Sequence, residues 1–152
     1  MLFPLQVRTY KGLMQGLKLA AKTLPMPKPT LFTGPGSSLE LCDAVAQVGV
    51  KKLMVVTDSM LVKLGLISDI EKRLTEHGVA TFIFDGILPD PTYDQINAGL
   101  AFLKQHNCDA ILAVGGGSSI DAAKVIAAGA TNEKPIEKMI GMFRVWNAPL
   151  PF

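Results

Sequence analysis

The chain is short of cysteine, histidine and charge. Its 152 residues include two cysteines, two histidines and one tryptophan, and 18% are charged. Cys42 and Cys108 stand far apart in no CxxC or metal-ligand spacing, which argues against a disulfide scaffold, a zinc site and a redox pair. Two free thiols fit a reducing, cytoplasmic compartment. No apolar run approaches the roughly 18–20 residues that span a bilayer. Met1-Leu2-Phe3-Pro4 lacks the basic start and the apolar stretch of a secretory signal. The sequence has no GxxxxGK[ST], no HExxH and no His–carboxylate cluster. His77 and His106 fall near helix ends, where solvated imidazoles complement the dipole. Ser118 and Ser119 lack a plausible base, so no catalytic residue and no metal ligand is assigned.

What is there suits one folded domain. Hydrophobic residues make up 49%, the formal net charge is +2, and the length permits a real core. Arg8, Lys11, Lys18, Lys22 and Lys28 all precede the first acid, Glu40. Within that stretch Tyr10, Leu13, Met14, Leu17, Ala20, Ala21 and Leu24 recur at three- and four-residue spacing, which draws an amphipathic helix. We read it as an accessory helix packed on the domain, with its basic side in water. A transit peptide or a membrane-surface helix is the alternative. A basic patch interleaved with aromatics is lacking, so no nucleic-acid partner is expected, and the packed-helix reading expects no membrane partner.

Residues 1–28 form this helix and its Pro-rich lead-in, and residues 29–152 form the domain proper. Thr30–Thr33 is a strand candidate, and Ser37 with Glu40 suggests a capping box for a helix that stops at Gly49. Lys52–Thr57 reads as a strand buried on both faces. A helix over Ser59–His77, a strand over Ala80–Phe84 and a helix capped by Thr92 and Gln95 follow. Ala110–Val114 and Ser118–Ala130 complete the alternation. Such alternation predicts an α/β fold: a doubly wound, mainly parallel, Rossmann-like sheet with helices on both faces. Ligands bind such sheets past the carboxyl ends of the strands.

The loop there with the strongest signal is Gly115-Gly116-Gly117-Ser118-Ser119-Ile120-Asp121. Three glycines between a buried strand and a helix let the backbone approach a ligand, and the helix N-terminus suits a phosphate. A plain turn with Ser118 as N-cap and Asp121 at N3 is the other reading. Asp58, ending a strand, can hold a ribose and disfavour a 2′-phosphate, or can simply cap the next helix. Asp90, between Pro89 and Pro91, is expected to be extended and presented to a ligand, or to form a turn leading to Thr92.

Together, Val55-Val-Thr-Asp58, Asp85-Gly-Ile-Leu-Pro-Asp-Pro-Thr92 and Ala113-Val-Gly-Gly-Gly-Ser-Ser-Ile-Asp-Ala-Ala-Lys124 resemble the iron-containing (group III) alcohol dehydrogenase family. The resemblance runs from about Pro29 to the last residue. It implies the family's N-terminal nucleotide-binding domain, with NAD as cofactor. Asp58 matches the acid facing the adenosine ribose, and Gly116, Gly117, Ser118, Ser119, Ile120 and Asp121 match the pyrophosphate- and nicotinamide-side loop. Asp90 stands where many members have Asn. The resemblance further implies an Fe2+ bound by a C-terminal helical domain absent here, a small-molecule alcohol as substrate and a homodimer. This chain alone is then expected to be inactive, its apolar Pro149-Leu-Pro-Phe152 ending being a cut edge. A glycerol or polyol dehydrogenase of the same superfamily is the nearest alternative. A non-catalytic nucleotide- or phosphosugar-binding α/β domain is the contrasting one.

Overall fold

A computed structural model describes residues 10–12, 14–19, 29–141 and 144–152. The chain divides into two units, Met1–Leu31 and Phe32–Phe152. In the first, residues 10–12 and 14–19 are helical; Leu13, Ala20, Ala21 and Leu24 of the sequence pattern lie outside the described residues.

The second unit alternates helices and strands: α1 (Ser37–Gln47), β1 (Lys52–Val56), α2 (Ser59–Lys63), α3 (Ser68–Glu76), β2 (Ala80–Phe84), α4 (Tyr93–His106), β3 (Ala110–Ala113) and α5 (Gly117–Thr131). A 3-10 turn over Ile136–Met139 follows. The strands form one parallel sheet in the order β2-β1-β3. Central β1 is buried on both faces, which explains its unbroken apolar run. Met54 and Val56 join Ile96 and Leu103 of α4 and Ala122, Ala123 and Ile126 of α5 on one side. Leu53 joins Cys42 of α1 and Ile70 and Leu74 of α3 on the other. The period-two alternation of a strand thus feeds two cores from one element. Crowding fixes the α4–α5 contact: a Cβ on Gly99 would lie 2.6 Å from Ile126 Cδ1.

Several local expectations need correction. Thr30–Thr33 is not a strand. The capping box of Ser37 and Glu40 does not form, because Gly36, at φ 81°, is the N-cap and no side chain caps α1. Ser59–His77 is two helices. Gly65 turns left-handed (φ 72°) and ends the first, and buried Ile67 leads into the second. The histidines are not merely solvated. His77 Nε2 lies 2.8 Å from Asp43 Oδ1, and His106 stacks on Phe82 with ring centroids 4.4 Å apart. Thr92 and Gln95 do form the capping box of α4: Gln95 N–H donates to Thr92 Oγ1, and Thr92 N–H to Gln95 Oε1.

Beyond α5 the chain returns to β3, where Ile111 N–H donates to Pro151 O at 2.9 Å. Asn132, almost fully buried, anchors that return. Its Oδ1 accepts the N–H groups of Trp146 and Asn147, and its Nδ2 donates to Ala128 O.

Candidate functional site

Two adjacent parallel strands end side by side, and each continues into a helix. After β1 the chain passes through Thr57 to Asp58, the N-cap of α2. The N–H groups of Met60 and Leu61 donate to Asp58 Oδ1 at 2.9 and 3.0 Å. Both bonds fall on one oxygen, so the carboxylate is held in place with Oδ2 outside the cap. After β3, Val114 N–H donates to Val56 O, keeping the loop in register with β1. Gly115 then takes φ 143°, and Gly116 becomes the N-cap of the 15-residue α5.

That helix start has no side-chain cap, so neither Ser118 nor Asp121 caps it. Its first N–H groups have no intrahelical acceptor and face outward with the positive end of the dipole. Gly116 and Gly117 leave open space, since a Cβ at either would meet nothing within 4 Å. Gly115 is enclosed: a Cβ there would stand 3.4 Å from Leu61 Cδ1 and closer still to Ser119.

Between the two strand ends lies a cleft of about 360 Å3. Asp58, Ser59 and Met60 line one part, Gly116, Gly117, Ser118 and Ser119 another, and Ile87, Leu88 and Pro89 a third. Asp58 is the one ionisable side chain among these lining residues. The cleft therefore pairs a localised carboxylate with a field of backbone N–H donors, flanked by an apolar wall.

Five of the eight candidate residues line it: Asp58, Gly116, Gly117, Ser118 and Ser119. Three do not. Asp121 pairs with Lys124 on the exposed face of α5, Nζ to Oδ1 at 3.1 Å. Ile120 lines a separate apolar groove with Leu41, Leu53 and Phe152. Asp90 is exposed and absent from the lining, and it is not extended: φ is 55°, a left-handed turn that Asp tolerates. Sequence reasoning missed the wall of Ile87, Leu88 and Pro89. The signal was the loop after β2, in which the apolar residues, not the acid, reach the cleft.

Other reactive groups lie elsewhere. Burial pushes the Cys42 and Cys108 thiols up from their usual range, so both are poor nucleophiles. Among the described residues no three His, Cys, Asp or Glu side chains group as a metal site. The chain's described residues therefore do not fit an iron.

A family model described as iron-containing alcohol dehydrogenase matches residues 28–152. The chain is 34% identical over 137 residues to alcohol dehydrogenase 4 of Schizosaccharomyces pombe, covering 87% of this chain and 32% of that one. It is 37% identical over 123 residues to the NAD-dependent methanol dehydrogenase of Bacillus methanolicus, covering 81% and 32%. An alcohol dehydrogenase structure from Oenococcus oeni superposes with a TM-score of 0.77 at 30% identity, covering 83% of this chain and 33% of the other. The chain thus spans about a third of the length of these relatives.

Proposed function

Because the chain belongs to the iron-containing alcohol dehydrogenase family, we propose that its cleft is the dinucleotide half of such an enzyme's active site, and that it takes NAD. One observation carries this reading: a helix N-terminus without a side-chain cap and a fixed carboxylate line the same cleft. That pairing suits a ligand with an anionic centre and a neutral polyol arm. The N–H groups of Gly117, Ser118 and Ser119 would hold the pyrophosphate, where the dipole offsets its charge. The ribose hydroxyls donate to the Asp58 carboxylate, which repels a 2′-phosphate. Met60 and the Ile87–Pro89 wall offer apolar surface to an adenine ring. A bound nicotinamide supplies hydride acceptance, and the residues here bind and orient it.

The remainder of the reaction is assigned to other residues. In the intact enzyme an iron held by residues outside this chain would supply Lewis acidity toward a small-molecule alcohol, and the dinucleotide held here would supply hydride acceptance. The described residues fit no iron, so the isolated chain is inactive in this reading. Calorimetry with NAD, NADP and sugar phosphates tests it. Preference for NAD that is lost in Asp58→Ala supports the proposal. Equal affinity for NADP removes the role of Asp58, and selective sugar-phosphate binding replaces the dinucleotide. Iron-dependent alcohol oxidation by the pure chain overturns the inactivity.

A further inference from the structure

The first unit carries an exposed apolar stripe that the dinucleotide reading leaves unused. Residues 10–12 and 14–19 are helical, and every one of them is exposed. At 3.6 residues per turn Tyr10, Met14 and Leu17 fall on one face. They are 64%, 39% and 43% exposed. Lys11 and Lys18, seven residues apart, stand together along one border of that stripe. The sequence up to Glu40 holds five cations and no acid.

We propose that this helix lies on an anionic lipid surface, with Tyr10, Met14 and Leu17 in the boundary between headgroups and acyl chains. Lys11 and Lys18 then meet lipid phosphates. Charge selects this occupant. The cations of this stretch, with no acid among them, complement anionic headgroups. Gly12 and Gly16 weaken the helix in water, so burying its stripe supplies what intrinsic propensity does not. Attachment is in the plane of the surface, since no helix among the described residues is long and apolar enough to cross a membrane. This departs from the expectation that the chain has no membrane partner, and the exposed apolar stripe is the reason.

Flotation of the 152-residue protein with lipid vesicles tests the proposal. The vesicles are phosphatidylcholine alone, or phosphatidylcholine mixed with phosphatidylglycerol, each at low and at physiological salt. The protein is expected to float with the anionic vesicles, less so as salt rises. Each lysine contributes about fivefold in affinity, so Lys11→Gln/Lys18→Gln loses roughly 25-fold. Met14→Glu/Leu17→Glu is expected to abolish flotation while the thermal midpoint stays at the parent value. Equal binding to neutral vesicles, no binding to anionic ones, or undiminished binding by the lysine variant overturns the proposal.

Discussion

A Cβ on Gly115 would stand 2.8 Å from the Oγ of Ser119, with the Ser119 Cβ 3.2 Å away. The loop closes over its own helix with no room for a methyl group, and φ 143° at Gly115 is a conformation that L side chains rarely adopt. One residue further, the situation reverses. Gly116 has φ −83°, and a Cβ there meets nothing within 4 Å.

The two glycines should therefore fail differently. Gly115→Ala is expected to lower stability by about 1–3 kcal/mol, through strain and the Ser119 clash. Gly116→Ala is expected to cost at most about 1 kcal/mol, as alanine does at an N-cap, and to lose dinucleotide affinity, because Gly116 lines the cleft and its Cβ would take up open space. Thermal melts paired with calorimetry separate the two. A stable Gly115→Ala, or a Gly116→Ala that binds NAD normally, contradicts the loop as described.

Asp58 carries two roles that a conservative change can split. Asn caps a helix about as well as Asp, whereas Ala loses about 1 kcal/mol. Asp58→Asn should keep stability and relax the preference for NAD over NADP, since the charge that repels a 2′-phosphate is gone. Asp58→Ala should lose both. If Asn retains full discrimination, the carboxylate is a cap and nothing else.

How much of this is legible in the sequence depends on the range of the interaction. The Gly115–Ser119 turn and Asp58 can be read because strand and helix signals bracket each within a few residues. The same holds for the Thr92–Gln95 box, which is wholly local. Ser37 and Glu40 carry the same signature and do not form a box, because two left-handed glycines, Gly34 and Gly36, set the chain's entry into α1. The break at Gly65 lies inside an apolar periodicity that continues through Leu66 and Ile67, so pattern alone joins two helices into one. The wall of Ile87–Pro89 needs tertiary structure. Only the parallel pairing of β1 with both β2 and β3 brings that loop beside Asp58 and Gly116.

A polar clasp between α1 and α3 gives a pH dependence of known sign. Arg73 donates to Asp43 through Nε at 2.7 Å and Nη2 at 2.9 Å, and His77 Nε2 lies 2.8 Å from the same carboxylate. The Arg73 hydrogen bonds, then that of His77, hold the Asp43 carboxyl down at about 2, below its ordinary 3.8. A depressed carboxyl stabilises the fold fully above its unfolded value and loses that contribution as pH falls through the folded one. The window is therefore from 3.8 down to about 2. Asp43→Asn is expected to be less stable at neutral pH and to show a shallower loss of stability across that window. An unchanged slope in acid titrations followed by circular dichroism would show that the clasp contributes nothing.

Thr57 presents the opposite case, a polar atom with no partner. Its Oγ1 is buried without a hydrogen bond, one residue before Asp58. An unsatisfied buried hydroxyl costs about 1–3 kcal/mol, and Val has nearly the same shape. Thr57→Val is expected to hold or raise the denaturant midpoint, with the spacing between β1 and Asp58 unchanged. An unfolding free energy lowered by more than about 1 kcal/mol would reveal a partner for that hydroxyl.

Gly99 sets the distance between α4 and α5, and with it the support beneath the cleft. A Cβ at this position would lie 2.6 Å from Ile126 Cδ1 and 3.1 Å from Phe84 Cε1. Ile126 is fully buried in the core that also holds Val56 and Ile87, so it cannot swing into solvent. Gly99→Ala gains helix propensity of about 1 kcal/mol, yet overpacking of this kind costs about 1–3 kcal/mol. The net change is expected to be destabilising. Ile126→Val removes the δ-methyl that the alanine would strike, at a cost of its own of about 0.5–1.5 kcal/mol. In the double variant the closest clash, at 2.6 Å, is removed while the 3.1 Å contact with Phe84 stays, so the two changes should be less harmful together than their sum. A double-mutant cycle by urea denaturation measures that coupling. Strict additivity would mean that α4 and α5 yield freely at this contact, leaving Gly99 no part in setting their separation.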